Sequence, residues 1–370
     1  MSYPTEKLKH IVCIRTGKLD SNAAVDDGDY PFFTCDPNTL RINNWAYDTE
    51  AVLLAGNNAS GNYTAKYYKG KFNAYQRVYI IETVDTACLN TRYLSYAMNQ
   101  QLRLLKTMSS GSTTKFLTLG MLHSLDIPLP GINVQNRIVE ILSAYDDLIE
   151  NNQKQIKLLE EAAQRLYKEW FVDLRFPGYE HTKVVDGVPE GWTRKRLVDI
   201  ADVQYGYAFD GSLFNAEGKG MPIIRIRNIP DAQTNDYTTE NADEQYLVNN
   251  GDIVVGMDGE FHINSWAGDT AYLVQRTCRI KAKLDKMSGF LLWAIYEPIK
   301  YFERTVVGAT VAHLGKKHID TIELLVSPEE YYLPFKQYFD KRQSLMNQNI
   351  LLAEIRNRLL PKLMNGEIEV

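Results

Sequence analysis

Two loops in this chain carry side chains suited to holding phosphate groups. The first, Ser109 to Lys115, combines hydroxyls, a flexible glycine and a lysine, and a matching loop stands in the second half of the chain. Hydroxyls and lysines commonly contact DNA phosphates, which positions a protein without reading sequence. The candidate contacts are Ser112, Thr113, Lys115, Thr310, Lys316 and Lys317. An ordinary polar turn has the same composition, and only the recurrence of the loop favours the phosphate interpretation.

A second set of polar side chains could read base edges. In the major groove asparagine pairs with adenine, and lysine or arginine with guanine. Such residues crowd a tyrosine-rich hairpin and recur at the end of a predicted strand in the second half. The candidates are Asn57, Asn58, Lys66, Lys69, Lys71, Arg225, Arg227 and Asn228. The competing interpretation is a solvated hairpin whose tyrosines pack across strands.

The dipeptide Gln-Arg also occurs at matching places, as Gln76-Arg77 and Gln275-Arg276. Both arginines fall within runs of strand-like composition. We therefore predict a structural role for Arg77 and Arg276.

Signatures of catalysis and of metal binding are missing from the sequence. It contains no NPPY- or DPPY-like methyltransferase motif and no glycine-rich cofactor loop. The stretch GATVAHLGKK has Lys317 where a phosphate loop requires Ser or Thr. His313 and His318 lie five apart, and the cysteines form no CxxC pair, so no metal site is predicted.

Composition indicates a globular protein without a basic surplus. The chain has 370 residues, enough for two domains, of which 45% are hydrophobic and 24% charged. Its net charge of −5 counts against strong DNA binding by the chain alone, and favours local basic loops or a partner that supplies positive charge. Four scattered cysteines predict a reduced, cytoplasmic protein. We expect no membrane span and no signal peptide, since no apolar run is long enough.

The elements that must position these residues occur twice. A head rich in tyrosine and glycine, followed by one long polar helix (the stalk), fills a first repeat from Met1 to Phe176 and a second from Pro177 to Val370. The predicted boundaries are 1–131 and 177–327 for the heads, and 132–176 and 328–370 for the stalks.

Each head is predicted to be mixed and mostly β, with one helix near its end. The longest strand-like runs are Leu8–Thr16 in the first head and Ala271–Lys281 in the second, and the helices are expected over Tyr93–Lys106 and Gly289–Phe302. Near the ends of the two heads, Gly120 is expected to match Gly315.

The stalks carry the apolar seam of a coiled coil. In the first stalk, apolar residues alternate by four and three, and only Asn152 interrupts them. A lone asparagine in such a seam can fix its register, while a solvated position near a bend is the alternative. The residues predicted at the seam and at a subunit interface are Leu142, Tyr145, Ile149, Asn152, Ile156, Leu159, Leu166, Trp170, Leu345, Asn349, Leu352, Ile355 and Leu359. Ser327 with Glu330 predicts a capping box at the second stalk.

The predicted fold is therefore α+β, with two mixed, mostly β heads separated by two long helices that pair as an antiparallel coiled coil. Four segments also carry a family resemblance: NRIVEILSAYDDLIENNQKQIKLLEE, RLYKEWFVDLRFPG, VPEGWTRKRLVDIADV and RLLPKLMNGEI. In these segments, and in its head–stalk–head–stalk order, the chain resembles the specificity subunit of type I restriction–modification systems. One departure is that the first head opens with YPTEKLKHI and lacks the tryptophan found at Trp192.

This resemblance implies a DNA-reading subunit without catalysis of its own. Each head would be a target-recognition domain that reads one half of a split site in double-stranded DNA, and unlike heads would read unlike halves. The stalks would space the heads and dock two methyltransferase subunits, with restriction subunits as further partners. No cofactor would bind this chain; S-adenosylmethionine, and ATP and Mg²⁺ where restriction subunits join, would belong to the partners.

Two other functions remain open on the sequence. One is a coiled-coil scaffold whose heads bind protein. The other is a standalone metal-dependent nuclease, because Asp210 with Glu217 and Lys219 faintly resembles a carboxylate–lysine metal site. The loop-like surroundings of these three residues favour a solvated turn instead.

Overall fold

The computed structural model describes residues 3–59, 61–109, 111, 114–305 and 313–370. The chain divides into two compact units, the first consisting of Met1–Asp147 with Ala353–Val370 and the second of Leu148–Leu352. Each unit thus combines one head with parts of both long helices. Among the described residues, no helix is long and apolar enough to cross a membrane.

A six-stranded sheet forms the centre of the first unit. The described strands of this unit are β1 (Thr5–Lys7), β2 (Val12–Thr16), β3 (Tyr30–Phe33), β4 (Leu40–Ile42), β5 (Tyr47–Ala55), β6 (Asn57–Asn58), β7 (Ala65–Ala74), β8 (Val78–Thr83), β9 (Lys115–Phe116) and β10 (Asp126–Pro128). The sheet has the order β2-β8-β5-β7-β3-β4, and its neighbours are antiparallel except for β3 and β7. Two further pairs, β1 with β10 and β6 with β9, stand outside it.

Helices cover one face of this sheet. They are α1 (Leu8–Ile11), α2 (Thr91–Met108), α3 (Leu119–His123) and the start of the long α4 (Ile132–Tyr167). The helix α2 begins where the Asn90 side chain accepts hydrogen bonds from the backbone N–H groups of Arg92 and Tyr93. Tyr93 and Leu94 are fully buried in the core beneath it. The helix predicted over Tyr93–Lys106 is therefore confirmed.

Two sheets form the second unit. Its described strands are β11 (Val184–Val185), β12 (Val188–Pro189), β13 (Thr193–Arg196), β14 (Ala201–Tyr205), β15 (Phe214–Asn215), β16 (Met221–Ile224), β17 (Tyr237–Thr238), β18 (Leu247–Val248), β19 (Ile253–Gly256), β20 (Ile263–Ser265), β21 (Ala271–Leu273), β22 (Thr277–Ala282) and β23 (Glu323–Val326). The sheets have the orders β14-β22-β19-β20 and β15-β17-β16-β21-β18. The pair β13 and β23 closes the head, as β1 and β10 do in the first.

The helices of the second unit pack around an aromatic core. They are α5 (Leu197–Ile200), α6 (Ser288–Ala294), α7 (Tyr296–Thr305) and α8 (Lys316–Asp320), together with the end of α4 and the part of the long α9 (Leu333–Met364) that precedes Ala353. Phe171 from the first stalk lies 4.7 Å from Phe290 and 5.0 Å from Trp192, measured between ring centroids. Phe335 from α9 joins the same cluster. Aromatic burial of this size makes the head and the helices of this unit one core.

The repeat seen in the sequence extends to individual backbone contacts. Leu8 donates its N–H to the carbonyl of Leu125 at 2.9 Å, and Leu197 donates to Ile322 at 2.8 Å. A methyl group on Gly17 would lie 2.1 Å from the carbonyl oxygen of Ala74, and one on Gly206 would lie 2.1 Å from that of Val274. Both heads therefore need glycine where one strand end passes the next.

The predicted match of Gly120 with Gly315 is wrong by two residues. Leu117 donates its N–H to the carbonyl of Gly56, and Leu314 donates in the same way to Met257, each at 2.8 Å. Leu117 and Leu314 are thus equivalent. The residues after them, Thr118 and Gly315, are the N-caps of α3 and α8.

Several predicted elements are interrupted. The run Leu8–Thr16 begins as the helical turn α1, and the run Ala271–Lys281 is split by a turn at Gln275-Arg276. Arg77 likewise lies in a turn before β8, so the placement of both arginines within strands was wrong. The helix expected over Gly289–Phe302 forms as two helices, α6 and α7.

The long helices end differently from each other. After α4 the chain adds a π-helical turn, Lys168–Val172, and leaves the helix at Leu174, whose φ is 57°. At the second stalk the predicted capping box is wrong, because the hydroxyl of Ser327 donates to the carbonyl of Pro328 and α9 begins only at Leu333. Gly366, with φ of 78°, follows the end of α9 and confirms the predicted terminator.

Candidate nucleic-acid interface

A short two-stranded ladder brings some of the predicted residues of the first head together. In this ladder, Asn57 stands opposite Phe116 and Asn58 opposite Lys115. Lys115 is half-buried, and among the described residues no side-chain partner holds its ammonium group. The ladder therefore joins a candidate phosphate contact to two candidate base readers. Ser112 and Thr113 lie outside the described residues.

A second lysine, Lys106 at the end of α2, adds charge beside this ladder. Its ammonium group donates to Asn62 Oδ1 at 2.7 Å. A methyl group on Gly61, which has a φ of 72°, would lie 3.3 Å from Cγ of Lys106 and 3.5 Å from Cγ of Lys115. The stems of the two lysines thus flank one glycine turn. No motif in the sequence pointed to Lys106, which has the pattern of an ordinary residue of a helix.

The three lysines of β7 do not join this group. Lys66 stands opposite Leu53 on one face of the sheet, whereas Lys69 stands opposite Glu50, and Lys71 opposite Asp48, on the other. Burial lowers the pKa of Lys66, whose ammonium donates to Thr39 Oγ1 at 3.2 Å.

Both lysines on the second face have partners of their own. Lys69 pairs with Glu50 at 3.1 Å. The ammonium of Lys71 lies 4.6 Å from the centre of the Trp45 ring. Strand alternation separates Lys66 from these two, so the predicted cluster of lysines is not one surface.

In the second head, the guanidinium of one of the three predicted residues after β16 has no hydrogen-bond or ion-pair partner among the described residues. Arg227 forms an ion pair with Asp236 at 2.5 Å, and the Asn228 amide donates to the same carboxylate at 3.2 Å. Arg225 instead lies over the ring of Phe214, with 5.7 Å to its centroid. Asp236 thus holds Arg227 and Asn228 in place as a local structural cluster.

The predicted lysines at the end of the second head are accessible. Lys316 and Lys317 form the first turn of α8 and are exposed, and no side-chain partner of either is found in the described part of the chain. His318 accepts the N–H of Gly315 at Nδ1 (3.0 Å) and stacks on Phe302. Thr310 lies outside the described residues.

The two Gln-Arg dipeptides, Gln76-Arg77 and Gln275-Arg276, lie in turns and not in the predicted strands. Gly56, next to the ladder that carries Lys115, donates its N–H to the Arg77 carbonyl (2.8 Å), and Met257, next to the bridge between Asp258 and His313, donates to that of Arg276 (2.9 Å). The guanidinium of Arg276 is 54% exposed and pairs with Asp258. The signal that could have located them is the repeated dipeptide itself.

Within the second unit the two long helices are in direct contact. The side-chain amide of Asn152 donates to Gln348 Oε1 at 2.7 Å and to Asn349 Oδ1 at 2.9 Å. Eight residues further along α4 and six residues before Gln348 on α9, Arg342 donates to Glu160 Oε1 at 2.7 Å. From the first contact to the second, the residue number rises on α4, from Asn152 to Glu160, and falls on α9, from Gln348 to Arg342. The two helices are therefore antiparallel.

The predicted seam residues differ in burial. Leu142, Asn152 and Leu345 are buried, Asn152 with only 2% of its surface exposed, so the solvated alternative for Asn152 is wrong. In the first unit Leu142 packs in one core with Leu359 and Leu363. The remaining predicted seam residues are half-buried: Tyr145, Ile149, Ile156, Leu159, Leu166, Trp170, Asn349, Leu352, Ile355 and Leu359.

Arg342 also ties α9 to the second head. It is 7% exposed, and its guanidinium donates to Ser265 Oγ at 2.7 Å and to Asn264 Oδ1 at 2.6 Å, in addition to Glu160. A buried guanidinium with this many partners fixes orientation. The sequence offered no sign of this role, since Arg342 looks like a surface residue of a polar helix.

The residues of the nuclease alternative serve local turns. The Asp210 carboxylate accepts from the N–H (2.9 Å) and the hydroxyl (2.8 Å) of Ser212, and these bonds lower its pKa. The N–H groups of Glu217 and Lys219 both donate to Asn215 Oδ1. Within the described residues no group of three or more His, Cys, Asp or Glu side chains could hold a metal ion.

Comparison with known protein families gives a match over most of the chain. The family model described as type I restriction modification DNA specificity domain matches twice, at residues 3–161 and 189–348. The chain is similar to the type I restriction enzyme EcoDI specificity subunit of Escherichia coli, with 31% identity over 226 residues that cover 55% of this chain and 50% of that protein. It is 28% identical over 286 residues to the MjaIX specificity subunit of Methanocaldococcus jannaschii, covering 72% and 66%. The chain thus spans about half to two thirds of these relatives.

Among solved structures, the chain is similar to the S subunit of a type I restriction–modification system from M. genitalium. The TM-score is 0.61 with 15% identity, over 98% of this chain and 96% of that one. At this identity the likeness shows a shared fold, two mixed heads with long helices, as the sequence predicted.

Proposed function

Since the chain belongs to the type I restriction–modification DNA specificity family, we propose that it is a non-catalytic subunit that reads a bipartite, asymmetric DNA site. The two heads share the backbone hydrogen bonds made by Leu117 and Leu314, yet different side chains stand at equivalent places beside them. Asn57 and Phe116 face each other in the first head, where Asp258 and His313 do so in the second. This difference at equivalent places is the observation that carries the proposal, because unlike donors and acceptors select unlike base pairs.

The partners follow from the same proposal. The paired long helices would dock two methyltransferase subunits, and restriction subunits could add to that complex. S-adenosylmethionine would bind the methyltransferase subunits, and ATP and Mg²⁺ the restriction subunits, with no cofactor on this chain. The net charge of −5 supports a need for partner subunits, because a DNA-binding protein without a basic surplus needs positive charge from a partner to hold phosphates.

Base-resolution mapping of adenine methylation in the native host, with and without the gene, tests the function. Deletion should remove methylation from one motif made of two unlike halves, and the wild-type gene should restore it. Exchange of residues 1–176 for the corresponding part of a relative should then alter one half of the motif only. An unchanged map after deletion would contradict the proposal and favour a scaffold whose heads bind protein.

A further inference from the structure

The two Gln-Arg turns have the same backbone surroundings in both heads. Gln76 donates its N–H to the carbonyl of Leu19 at 2.8 Å, and Gln275 donates to that of Tyr207 at 2.7 Å. Next to them, the carbonyls of Arg77 and Arg276 accept from Gly56 and Met257, as described above. Backbone bonds therefore hold each turn on two sides, although φ is positive at Arg276 and not at Arg77.

These turns are also linked to residues close in the chain to the candidate phosphate lysines. Gly56 and Met257, which donate to the two arginine carbonyls, also accept hydrogen bonds at their own carbonyls. The donors are the N–H groups of Leu117 in the first head and Leu314 in the second, both at 2.8 Å. Lys115 precedes Leu117 by two residues, and Lys316 follows Leu314 by two. In each head a candidate phosphate lysine, without a side-chain partner among the described residues, thus lies two residues along the chain from the leucine that is linked to the arginine turn.

The guanidinium groups themselves point away from the core. Arg276 is 54% exposed on its side chain and takes a φ of 73°, which is uncommon for a residue with a side chain. Its partner Asp258 is 23% exposed and also bonds His313 Nδ1 at 2.5 Å. Arg77 is exposed, and among the described residues its guanidinium has no hydrogen-bond or ion-pair partner.

We propose that Arg77 and Arg276 are equivalent base-reading residues, each presenting its guanidinium fork to a guanine in the major groove of its own half-site. This inference rests on the proposed DNA-reading function. The fork of arginine matches the O6 and N7 acceptors of guanine. Asp258, held by His313, orients the fork of Arg276 and reduces the conformational freedom lost on binding.

A phosphate contact fits Arg276 less well than a base contact. The carboxylate of Asp258 lies against the guanidinium, and a phosphate at the same place would bring two negative charges together. Guanine offers neutral acceptors, so it meets no such repulsion. Lys316, which has no carboxylate partner among the described residues, is the better phosphate contact of the pair.

Replacing Arg276 with alanine in the native host, followed by base-resolution methylation mapping, tests the inference. The variant should relax one G·C pair in one half of the motif, with discrimination at that pair reduced about 5- to 150-fold, as for the loss of a bidentate pair. Arg77→Ala should relax one G·C pair in the other half. Asp258→Asn should weaken discrimination at the same pair as Arg276→Ala, and by less.

Arg196→Ala is the matched control, because Arg196 is an equally exposed arginine of the same unit, 59% exposed and paired with Asp199 at 3.0 Å. It should leave the motif unchanged. Arg276→Lys keeps the charge without the fork, so it should relax the same pair while melting at the wild-type temperature, which separates reading from folding.

Three results would overturn the inference. They are an unchanged motif in Arg276→Ala, relaxation at an A·T pair, and an equal loss of methylation at every site, which would indicate a phosphate contact. In each of these cases the wild-type gene still specifies a motif, so the proposed function stands. If deletion of the gene itself changes nothing, the proposed function fails and this inference fails with it.

Discussion

Asn152 on α4 donates a hydrogen bond of 2.9 Å to Asn349 on α9, at a position where only 2% of Asn152 is exposed. A second bond of 2.7 Å reaches Gln348. A buried amide is costly unless it is paired, so only the alignment of the helices that supplies these acceptors satisfies it. The pair therefore selects one antiparallel register in the second unit.

Asn152→Ala should destabilise the chain by about 1–3 kcal/mol, because it leaves the half-buried acceptor Asn349 without its donor. The neighbouring Asn151 is exposed, and Asn151→Ala should stay within about 0.5 kcal/mol of wild type. Urea unfolding followed by circular dichroism measures both. Equal stabilities of the two variants would show that the Asn152 pair does not hold the helices together.

Gly206→Ala should destabilise the second unit by about 1–3 kcal/mol, as for other substitutions that force a close contact apart. The reason is the 2.1 Å approach of an added methyl group to the Val274 carbonyl oxygen. Gly211, in the same head, has no atom within 4 Å of such a methyl group, so Gly211→Ala provides the control. A thermal melt that places Gly206→Ala level with Gly211→Ala would contradict the close packing.

Stability should fall at alkaline pH in part because of Tyr67. Burial, together with the hydrogen bond donated to Glu50 (2.8 Å), raises the pKa of Tyr67 to about 12, above the value of about 10 for an unfolded chain. The folded state thus favours the neutral phenol, so the contribution of Tyr67 is complete below pH 10 and is lost as the pH rises toward 12.

Thermal melts of wild type and Tyr67→Phe at pH 8 and at pH 11 measure this contribution. The advantage of wild type over the variant should be smaller at pH 11. Tyr301, which is 57% exposed, gives the control variant Tyr301→Phe, which removes a hydroxyl from an exposed ring. A wild-type advantage over Tyr67→Phe that is the same at both pH values would refute the assignment.

Lys115→Ala and Lys316→Ala should weaken DNA binding alike on all sequences, because phosphate contacts carry no sequence information. Each should lower the slope of log affinity against log salt by about one. Binding is measured for the complex purified from the host, on duplexes with and without its motif. Lys195→Ala, an exposed lysine on β13, is the control, and a loss confined to one base-pair change would contradict the phosphate role.

The sequence predicted the fold correctly where a pattern repeats or extends over many residues. The recurrence of head and stalk predicted the α+β fold, and the four–three alternation around Asn152 predicted helix pairing, because periodicity over many residues reflects which face is buried. Local features were less well predicted. The capping box at Ser327 did not form, since the hydroxyl found a carbonyl nearby.

Sequence by itself therefore determined the number and kind of parts: two heads, two long helices, and a seam interrupted by one asparagine, whose burial only the structure showed. Only the tertiary structure decided which side chains share a surface. Strand alternation places Lys66 and Lys69 on opposite faces of the sheet, and Arg227 forms an ion pair with Asp236. The tertiary structure also placed Arg276 in an exposed turn beside Asp258. Contacts of this kind join residues distant in the chain, and their geometry depends on register and on turns, which composition and spacing do not specify.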